Sequence, residues 1–309
     1  MRLEGIHHIT AITGNAPRNV NFYAGTLGLR LVKKSVNQDD PTVYHLFYAD
    51  EKGSPGSDLT FFEYPGASPG RAGAGMIHRI TWRVRSEDAL SFWDDRLASV
   101  GTTTEREPGS LRFRDPEGLD LELKVVDAGE EPLIADHPEV PKELALQGFD
   151  SVRAFTFEPE DSATFLREAV GFEQKSDEEW MSRGENRSSS YFYDTTRTRG
   201  ISGAGTVHHV AWACRMDEHA VWRERVVSAG AHVTPVIDRF YFRSIYFREP
   251  SGVLFEIATI GPGFAVDEPA ELLGQSLSLP PDYEPLRERL EKILTPLPDP
   301  RAHALARRR

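Results

Sequence analysis

Histidine and glutamate residues at repeated positions predict a metal site built from distant parts of the chain. Two adjacent histidines, His208 and His209, lie in a segment whose alternation of apolar residues is typical of a β-strand. A second pair, His7 and His8, lies in a similar strand near the N-terminus. Glu256 lies in a strand that follows a glycine-containing turn. Two neutral imidazoles and one carboxylate on one side of a divalent ion leave its other coordination positions open.

The strands that carry these residues have counterparts elsewhere in the sequence. Gly75-Met-Ile-His-Arg-Ile-Thr-Trp82 matches Gly205-Thr-Val-His-His-Val-Ala-Trp212. Likewise Arg114-Asp-Pro-Glu-Gly-Leu-Asp-Leu-Glu122 matches Arg248-Glu-Pro-Ser-Gly-Val-Leu-Phe-Glu256. Internal repetition of this length indicates a duplicated structural unit.

Comparison of the copies separates candidate ligands from scaffold. The equivalent first-strand positions of the four copies are His8, Arg79, Ser151 and His209. Only the first and fourth copies together supply two histidines and a carboxylate. We therefore predict that His8, His209 and Glu256 bind the metal, and that Glu122 is structural and pairs with Arg79. Zinc accepts the same ligands, so the residue types alone do not choose the metal.

Strand alternation predicts the direction of these side chains. His209 and Glu256 fall on the face opposite their bulky apolar neighbours, which we expect to pack against helices. His8 and Thr10 fall on the same face as each other in the first copy. These residues should therefore project together from the concave face of a sheet.

The two remaining histidines of the pairs are open to two interpretations. By alternation His7 and His208 point to the helix side, unless a β-bulge turns them. Each is then either a group that supports the neighbouring ligand or a packed, hydrogen-bonded histidine.

The elements that must position the site recur four times. Each copy reads as one strand, one helix and three strands, and the copies begin at Gly5, Gly75, Gly148 and Gly205. We predict an α+β fold of four βαβββ modules, paired into two domains with curved, partly closed mixed sheets. The predicted domains are residues 1–130 and 147–265, with a linker at 131–146 that is rich in proline and charge. Residues 266–309 form a C-terminal helix, predicted over Tyr283–Leu294, and a basic tail.

Composition excludes several classes of function. The net charge of −12 argues against nucleic acid as a partner, since that surface needs a basic footprint. The single cysteine, Cys214, excludes a disulfide framework and a thiolate zinc site, and it fits a reducing compartment. No apolar run has the length of a membrane span. We expect a cytoplasmic protein with no membrane partner, and strand edges with an amphipathic C-terminal helix favour a homo-oligomer.

The complete pattern resembles the vicinal oxygen chelate superfamily. The resemblance rests on the four modules together with Gly5-Ile-His-His8, Gly205-Thr-Val-His-His209 and Gly252-Val-Leu-Phe-Glu256. Within it, the hydroquinone-type ring-cleaving dioxygenases are the closer match. The motifs that carry this second resemblance are residues 19–34, Tyr44-His-Leu46, the Gly53-Ser-Pro-Gly56 turn and the run from Asp238 to Tyr246.

The resemblance implies an activity and a set of residues for it. It implies mononuclear Fe(II), in preference to zinc, manganese or nickel, held by His8, His209 and Glu256. The reaction implied is extradiol-type cleavage of a small hydroxylated aromatic substrate, catechol or hydroquinone, by O2. Roles beside the metal are implied for His208, Arg239 and Tyr246, and we add His7 and Thr10 to the predicted catalytic residues.

Two other functions compete with this prediction. A glyoxalase-like lyase or isomerase would use the same scaffold, usually with more than one carboxylate ligand, whereas one glutamate stands beside the histidines here. A non-catalytic protein that sequesters a small molecule would need no metal triad. Measured metal content separates the three hypotheses.

Overall fold

Four consecutive βαβββ modules make up most of the chain. The computed structural model describes residues 1–299, and it contains the modules in the predicted order. The glycines at the four predicted module starts all have positive φ: +74° at Gly5, +83° at Gly75, +93° at Gly148 and +78° at Gly205. Only glycine adopts this conformation without strain, which explains why the repeat keeps glycine there. The predicted α+β fold of four modules is confirmed.

The first two modules occupy residues 6–125. The first comprises β1 (Ile6–Thr13), α1 (Ala16–Val20), a π-helical turn (Asn21–Thr26), β2 (Arg30–Asn37), β3 (Asp40–Ala49) and β4 (Asp58–Glu63). The second comprises β5 (Met76–Val84), α2 (Glu87–Ser99), β6 (Thr104–Glu107), β7 (Ser110–Arg114) and β8 (Asp120–Val125). Ser86 caps α2 by accepting a hydrogen bond from the Ala89 amide at 3.3 Å, as serine does before a helix.

The last two modules occupy residues 149–262. The third comprises β9 (Phe149–Thr156), a 3-10 turn (Pro159–Ser162), α3 (Ala163–Glu168), β10 (Glu173–Gln174), β11 (Glu179–Arg183) and β12 (Ser188–Thr195). The fourth comprises β13 (Val207–Cys214), α4 (His219–Ser228), β14 (Ile237–Asp238), β15 (Phe242–Arg248) and β16 (Leu254–Pro262). A 3-10 turn over Lys142–Leu144 lies in the connection between the second and third modules.

Each sheet combines one module from either half of the chain. The first sheet has the order β14-β15-β16-β13-β1-β4-β3-β2, so modules one and four share it. The second has the order β10-β11-β12-β9-β5-β8-β7-β6, so modules three and two share it. Both sheets are mixed, with an antiparallel seam between the first strands of the two modules. The predicted linker at residues 131–146 lies between modules two and three along the chain. The division of the chain into two domains at this linker stays a prediction.

The helices pack against one face of the first sheet, and a smaller apolar cluster lies on the other face. On the helix side lies the main core, in which Trp212 packs edge-on against Phe172 at 4.7 Å between ring centroids. On the other side, which we call the inner face, lies a smaller apolar cluster. Its members are Val32, Phe47, Ala49, Ala211, Tyr241, Phe242, Ala258, Phe264 and Leu273.

The segment after β16 folds back over the inner face. It contains 3-10 turns at Phe264–Val266 and Ala270–Leu272, and its Phe264 belongs to the inner cluster. The fully buried ammonium of Lys33 in β2 anchors this segment, donating to Asp267 Oδ1 at 2.8 Å and to Glu268. Because a buried charge is costly unless it is paired, this contact fixes the segment to the sheet.

The C-terminal helix is shorter than predicted. The prediction of one helix over Tyr283–Leu294 is wrong, because a 3-10 turn occupies Pro281–Leu286 and the α-helix, α5, covers only Arg287–Ile293. Pro285 lies inside the 3-10 turn, and proline removes the amide that a continuous α-helix needs. The predicted basic tail lies outside the described residues from position 300 onward. None of the helices in residues 1–299 combines the length and the apolar character of a membrane-spanning segment.

Candidate metal centre

The seam between β1 and β13 brings the two predicted histidine ligands together. These strands are antiparallel, with His8 opposite Ala211 and Thr10 opposite His209. Both histidine side chains are buried, with 2% and 4% exposure for His8 and His209. Their Nε2 atoms lie 3.3 Å apart. Two residues separated by about two hundred positions thus face the same point.

Glu256 completes the cluster from the neighbouring strand. β16 runs parallel to β13 with Glu256 beside Ala211, two residues beyond His209. Its Oε2 lies 2.9 Å from His209 Nε2 and 3.2 Å from His8 Nε2, and its side chain is fully buried. Within residues 1–299, this is the group of histidine, cysteine and carboxylate side chains whose ligand atoms converge closely enough for a metal ion.

The spacing of the three atoms fits a metal ion. Ligand atoms about 2.1 Å from a common ion, at right angles to one another, lie about 3 Å apart. The three observed separations of 2.9, 3.2 and 3.3 Å agree with this. Neither Glu256 oxygen has a hydrogen bond with proper donor geometry from the described residues, although both are buried. A carboxylate buried in this way requires a cation or a proton, so the residues present fit a divalent ion.

The three groups change one another's pKa values. Burial alone would raise the pKa of Glu256, but His8 and His209 outweigh it and hold that pKa well below the ordinary value. Burial lowers the pKa of His209 despite Glu256. For His8, burial lowers the pKa, but the Glu256 charge outweighs burial and raises it. The site therefore places an ionised carboxylate against the imidazoles, and a metal ion would compete with a proton for His8.

Two β-bulges place His7 and His208 beside the ligands. The register of β1 and β13 shifts at His7 and again at His208, so each is an extra residue in its strand. The Nδ1 atoms of His7 and His8 lie 2.9 Å apart, and those of His208 and His209 lie 2.7 Å apart. Strict alternation would have turned both rings to the helices, and the bulges prevent this. Burial lowers the pKa of His7 to about 3, so its ring is neutral at neutral pH.

Tyr246 and Arg239 lie together beside His209. The Tyr246 ring is edge-on to His209 at 5.7 Å between centroids. Arg239 Nε donates to the Tyr246 hydroxyl at 3.3 Å, and its guanidinium also lies over that ring. Burial, reinforced by Glu256, raises the pKa of Tyr246, so the phenol keeps its proton at neutral pH. Arg239 also pairs with the exposed Asp39 at 3.3 Å, which links module four to module one.

Thr10 takes part in a chain of hydrogen bonds that includes a histidine not predicted as functional. Thr10 Oγ1 lies 2.8 Å from Thr60 Oγ1, which in turn lies 2.9 Å from His45 Nε2. The His45 ring packs between Phe47 and Phe62, with centroids 3.9 and 4.4 Å away. Burial, with smaller contributions from His8 and His209, lowers the pKa of His45 well below its ordinary value.

A small cavity joins these groups. Its volume is about 40 Å³, and its walls include His8, His209, His45, Arg239 and Tyr246. His45 lies among these groups although the sequence gives it no predicted role. The only signal for it was its place in the Tyr44-His-Leu46 motif, because the strand pairing that directs it to the cavity is not visible in the sequence.

The equivalent place in the second sheet holds ion pairs instead of ligands. Glu122 accepts hydrogen bonds from Ser110 at 2.9 Å and Thr81 at 3.3 Å, and Arg79 lies 3.7 Å from it. Arg79 also donates to Asp120 at 3.0 Å. The predicted pairing of Glu122 with Arg79 is therefore present, and no histidine of the described part of the chain joins Glu122 in a metal-binding cluster.

The sequence is similar to those of known proteins over nearly its whole length. The family model described as the glyoxalase/bleomycin resistance protein/dioxygenase superfamily matches residues 5–123 and 148–257. The chain is 42% identical over 301 residues to the protein named "Putative ring-cleaving dioxygenase MhqO" of Bacillus subtilis (strain 168), covering 94% of this chain and 96% of that one. It is 34% identical over 315 residues to the chlorohydroquinone/hydroquinone 1,2-dioxygenase of Sphingobium indicum, covering 95% and 96%.

Solved structures agree with the sequence matches. A crystal structure titled as that of a "putative dioxygenase" from Bacillus subtilis has a TM-score of 0.88 and 40% identity, covering 96% of this chain and 98% of that one. Glyoxalase I from Zea mays has a TM-score of 0.59 at 16% identity, covering 83% and 92%, which is a likeness of fold alone.

Proposed function

Because the chain belongs to the glyoxalase/bleomycin resistance protein/dioxygenase superfamily, we propose that it is an Fe(II)-dependent dioxygenase that opens a hydroxylated aromatic ring with O2. The observation that carries the proposal is the convergence of His8 Nε2, His209 Nε2 and Glu256 Oε2 on one point. Two imidazoles and one carboxylate are the ligand set of non-haem Fe(II) enzymes that activate oxygen. The name of the Sphingobium relative supports a hydroquinone over a catechol as the substrate.

The proposed residues divide into holding and reacting groups. His8, His209 and Glu256 would hold the ion, leaving open positions on the side of the cavity. Bound Fe(II) would supply the Lewis-acid and redox chemistry for the reaction of the ring with O2. Cleavage would be of the extradiol type, beside a carbon that bears a hydroxyl, with both atoms of O2 entering the product.

Proton transfer would use the groups that line the cavity. The neutral His45 ring can take the proton from a substrate hydroxyl, as a general base does. The Tyr246 phenol keeps its proton and can donate a hydrogen bond to an oxygen that gains negative charge. Arg239, held against Tyr246 at 3.3 Å, places a positive charge beside the same region.

The cavity walls favour a flat, apolar ring. Phe47, Phe62 and Phe242 line the cavity together with Tyr241 and Tyr246. Aromatic side chains pack well against another ring and exclude water from it. The volume of about 40 Å³ is much smaller than the roughly 150 Å³ of a cavity that binds benzene, so wall residues must move when substrate enters.

Anaerobic loading with Fe(II), followed by oxygen-electrode assays, tests the proposal. The panel contains hydroquinone, chlorohydroquinone and catechol. We expect oxygen uptake equal to the hydroquinone consumed, and label from ¹⁸O2 in the ring-opened product. Zinc bound without oxygen uptake would instead support a glyoxalase-like enzyme, and the absence of any bound metal would support a non-catalytic binder. Either result would overturn the dioxygenase.

A further inference from the structure

The contacts of His7 determine which of its ring nitrogens carries hydrogen. His7 Nε2 lies 3.1 Å from the Thr259 carbonyl oxygen, and its Nδ1 lies 2.9 Å from His8 Nδ1. A carbonyl oxygen only accepts, so His7 Nε2 must be the donor. A neutral imidazole has a single N–H, so His7 Nδ1 is left as an acceptor.

The tautomer of His8 follows from that of His7. Because His7 Nδ1 accepts, His8 Nδ1 must donate to it. In the neutral His8 ring, which is the form that binds a metal, Nε2 then carries no hydrogen. His8 Nε2, with its free lone pair, lies 3.2 Å from Glu256 Oε2, the distance expected of two ligands of one ion. The Thr259 carbonyl of β16 thus determines, through the His7 ring, which nitrogen of His8 is free of hydrogen.

The second pair lacks this chain of contacts. His208 Nδ1 lies 2.7 Å from His209 Nδ1, but His208 is exposed to solvent. Among the contacts of residues 1–299, no carbonyl fixes the second ring nitrogen of His208. Nothing in its protein surroundings therefore selects one tautomer of His208, and through it of His209.

We propose that His7 is a positioning residue that holds the metal ligand His8 in its Nδ1–H tautomer, and that His208 does not hold His209 to the same degree. The inference rests on the metal site of the proposed function. Hydrogen bonds to the far nitrogen of a histidine ligand fix its orientation, and their loss lowers metal affinity about 10–100-fold.

His78 provides a matched control for His7. It is the bulged residue at the equivalent place of β5, one position before Arg79. Its Nε2 lies 2.8 Å from Asp194 Oδ2 and its ring stacks on Phe155 at 3.8 Å. Substitution there removes a buried, hydrogen-bonded histidine from the same type of bulge in a sheet without the metal cluster.

The test compares the Co(II) affinity of four variants with that of the wild type, by chelator competition followed in the visible spectrum. His7→Phe keeps the ring and removes the acceptor, and we expect an affinity loss of about 10–100-fold. His7→Asn places its Oδ1 where Nδ1 stood, and should restore most of the affinity. His208→Phe should lose less than His7→Phe, and His78→Phe should lose none. Equal affinity of His7→Phe and wild type, or no rescue by His7→Asn, overturns the inference.

A measurement on the unaltered protein covers the case in which His7→Phe does not fold. In the Zn(II)-loaded protein, ¹⁵N chemical shifts of labelled histidines identify the protonated nitrogen of each ring. We expect hydrogen on Nε2 of His7 and on Nδ1 of His8, and hydrogen on Nδ1 of His7 overturns the inference. If the wild type binds neither Co(II) nor Zn(II), the proposed metal site fails, whereas normal binding with an unaffected His7→Phe variant removes only the role of His7.

Discussion

Thr60 and Glu256 occupy equivalent positions on the two sides of the β1–β13 seam. Thr60 in β4 is the partner of Thr10, two residues after His8, and Glu256 in β16 is the partner of Ala211, two residues after His209. A carboxylate at Thr60 would therefore face the same point as Glu256. The hydroxyl of Thr60 is instead hydrogen-bonded to Thr10 and His45, so none of residues 1–299 supplies a ligand on this side of the site.

Thr60→Glu should add a fourth ligand and close an open coordination position. We expect Co(II) affinity to rise and oxygen uptake to fall roughly tenfold or more, because substrate oxygen and O2 compete for fewer positions. Thr60→Val is the control, since it keeps the volume and the open position but loses the hydroxyl. Oxygen uptake by Thr60→Glu at the wild-type rate would contradict the equivalence.

Glu256→Gln should abolish stabilisation by metal. A ligand present at a hundred times its dissociation constant adds about 2.7 kcal/mol to the free energy of unfolding, which raises Tm. Thermal unfolding with and without Co(II) should show this rise in the wild type and in Glu122→Gln, its counterpart in the second sheet. A metal-dependent rise of Tm in Glu256→Gln would exclude this carboxylate as a ligand.

His45→Phe should lower kcat without changing metal affinity. His45 is hydrogen-bonded to Thr60 and is no member of the ligand cluster. Its loss removes the proposed general base, an effect of about 10²-fold or more. Steady-state oxygen uptake gives kcat and chelator competition gives the Co(II) affinity. A parallel loss of both quantities would mean that His45 supports the ligands instead.

Tyr246→Phe should also lower kcat, with little effect on KM. The substitution removes the hydroxyl that Arg239 contacts and keeps the ring that packs against His209. An effect near 10²-fold is expected for a lost proton donor. Tyr191→Phe is the control, since its buried hydroxyl has no hydrogen-bond partner among the described residues. Equal kcat values for the two variants would argue against a role for the phenol.

Asp194→Asn should lower the stability of the second sheet at neutral pH and should have a smaller effect in acid. Burial alone would raise the pKa of Asp194, but Arg153 and His78 outweigh burial and hold it well below its ordinary value. The stability that this carboxylate contributes is therefore complete above pH about 4 and is lost as pH falls toward its lowered pKa. The side chain is partly exposed, so we expect a loss of only about 1 kcal/mol at pH 7.

Urea unfolding between pH 7 and pH 3 tests how the stability contributed by Asp194 changes with pH. The difference in unfolding free energy between wild type and Asp194→Asn should shrink as the pH falls below 4. Asp177→Asn, an exposed carboxyl in the turn between β10 and β11, should differ little from wild type at every pH. A difference that grows toward low pH would contradict the lowered pKa.

The repeat in the sequence was sufficient to predict the modules and to bring the candidate ligands together. His8 and His209 could be chosen because Arg79 and Ser151 stand at the equivalent positions, where they cannot form the same cluster. The predicted convergence of His8, His209 and Glu256 is what the strand order produces. Their role as ligands stays a prediction.

Features that depend on contacts between modules could not be predicted. The bulges at His7 and His208 depend on the pairing of β1 with β13, so strand alternation alone gave these rings the wrong direction. His45 reaches the cavity through pairing with Phe62 in β4, which no local pattern encodes. The predicted C-terminal helix is too long, because the spacing of its apolar residues favours a helix that Pro285 interrupts.

The interleaved strand order has a consequence for synthesis of the protein. β1 leaves the ribosome long before its antiparallel partner β13 and the Glu256 strand, which follow some two hundred residues later. During that interval modules two and three can already join, because they are neighbours in the chain, while β1 keeps an unpaired edge. Closure of the first sheet is then a late event across a long loop, and a nascent chain halted before residue 256 would lack the Glu256 carboxylate and could not complete the cluster.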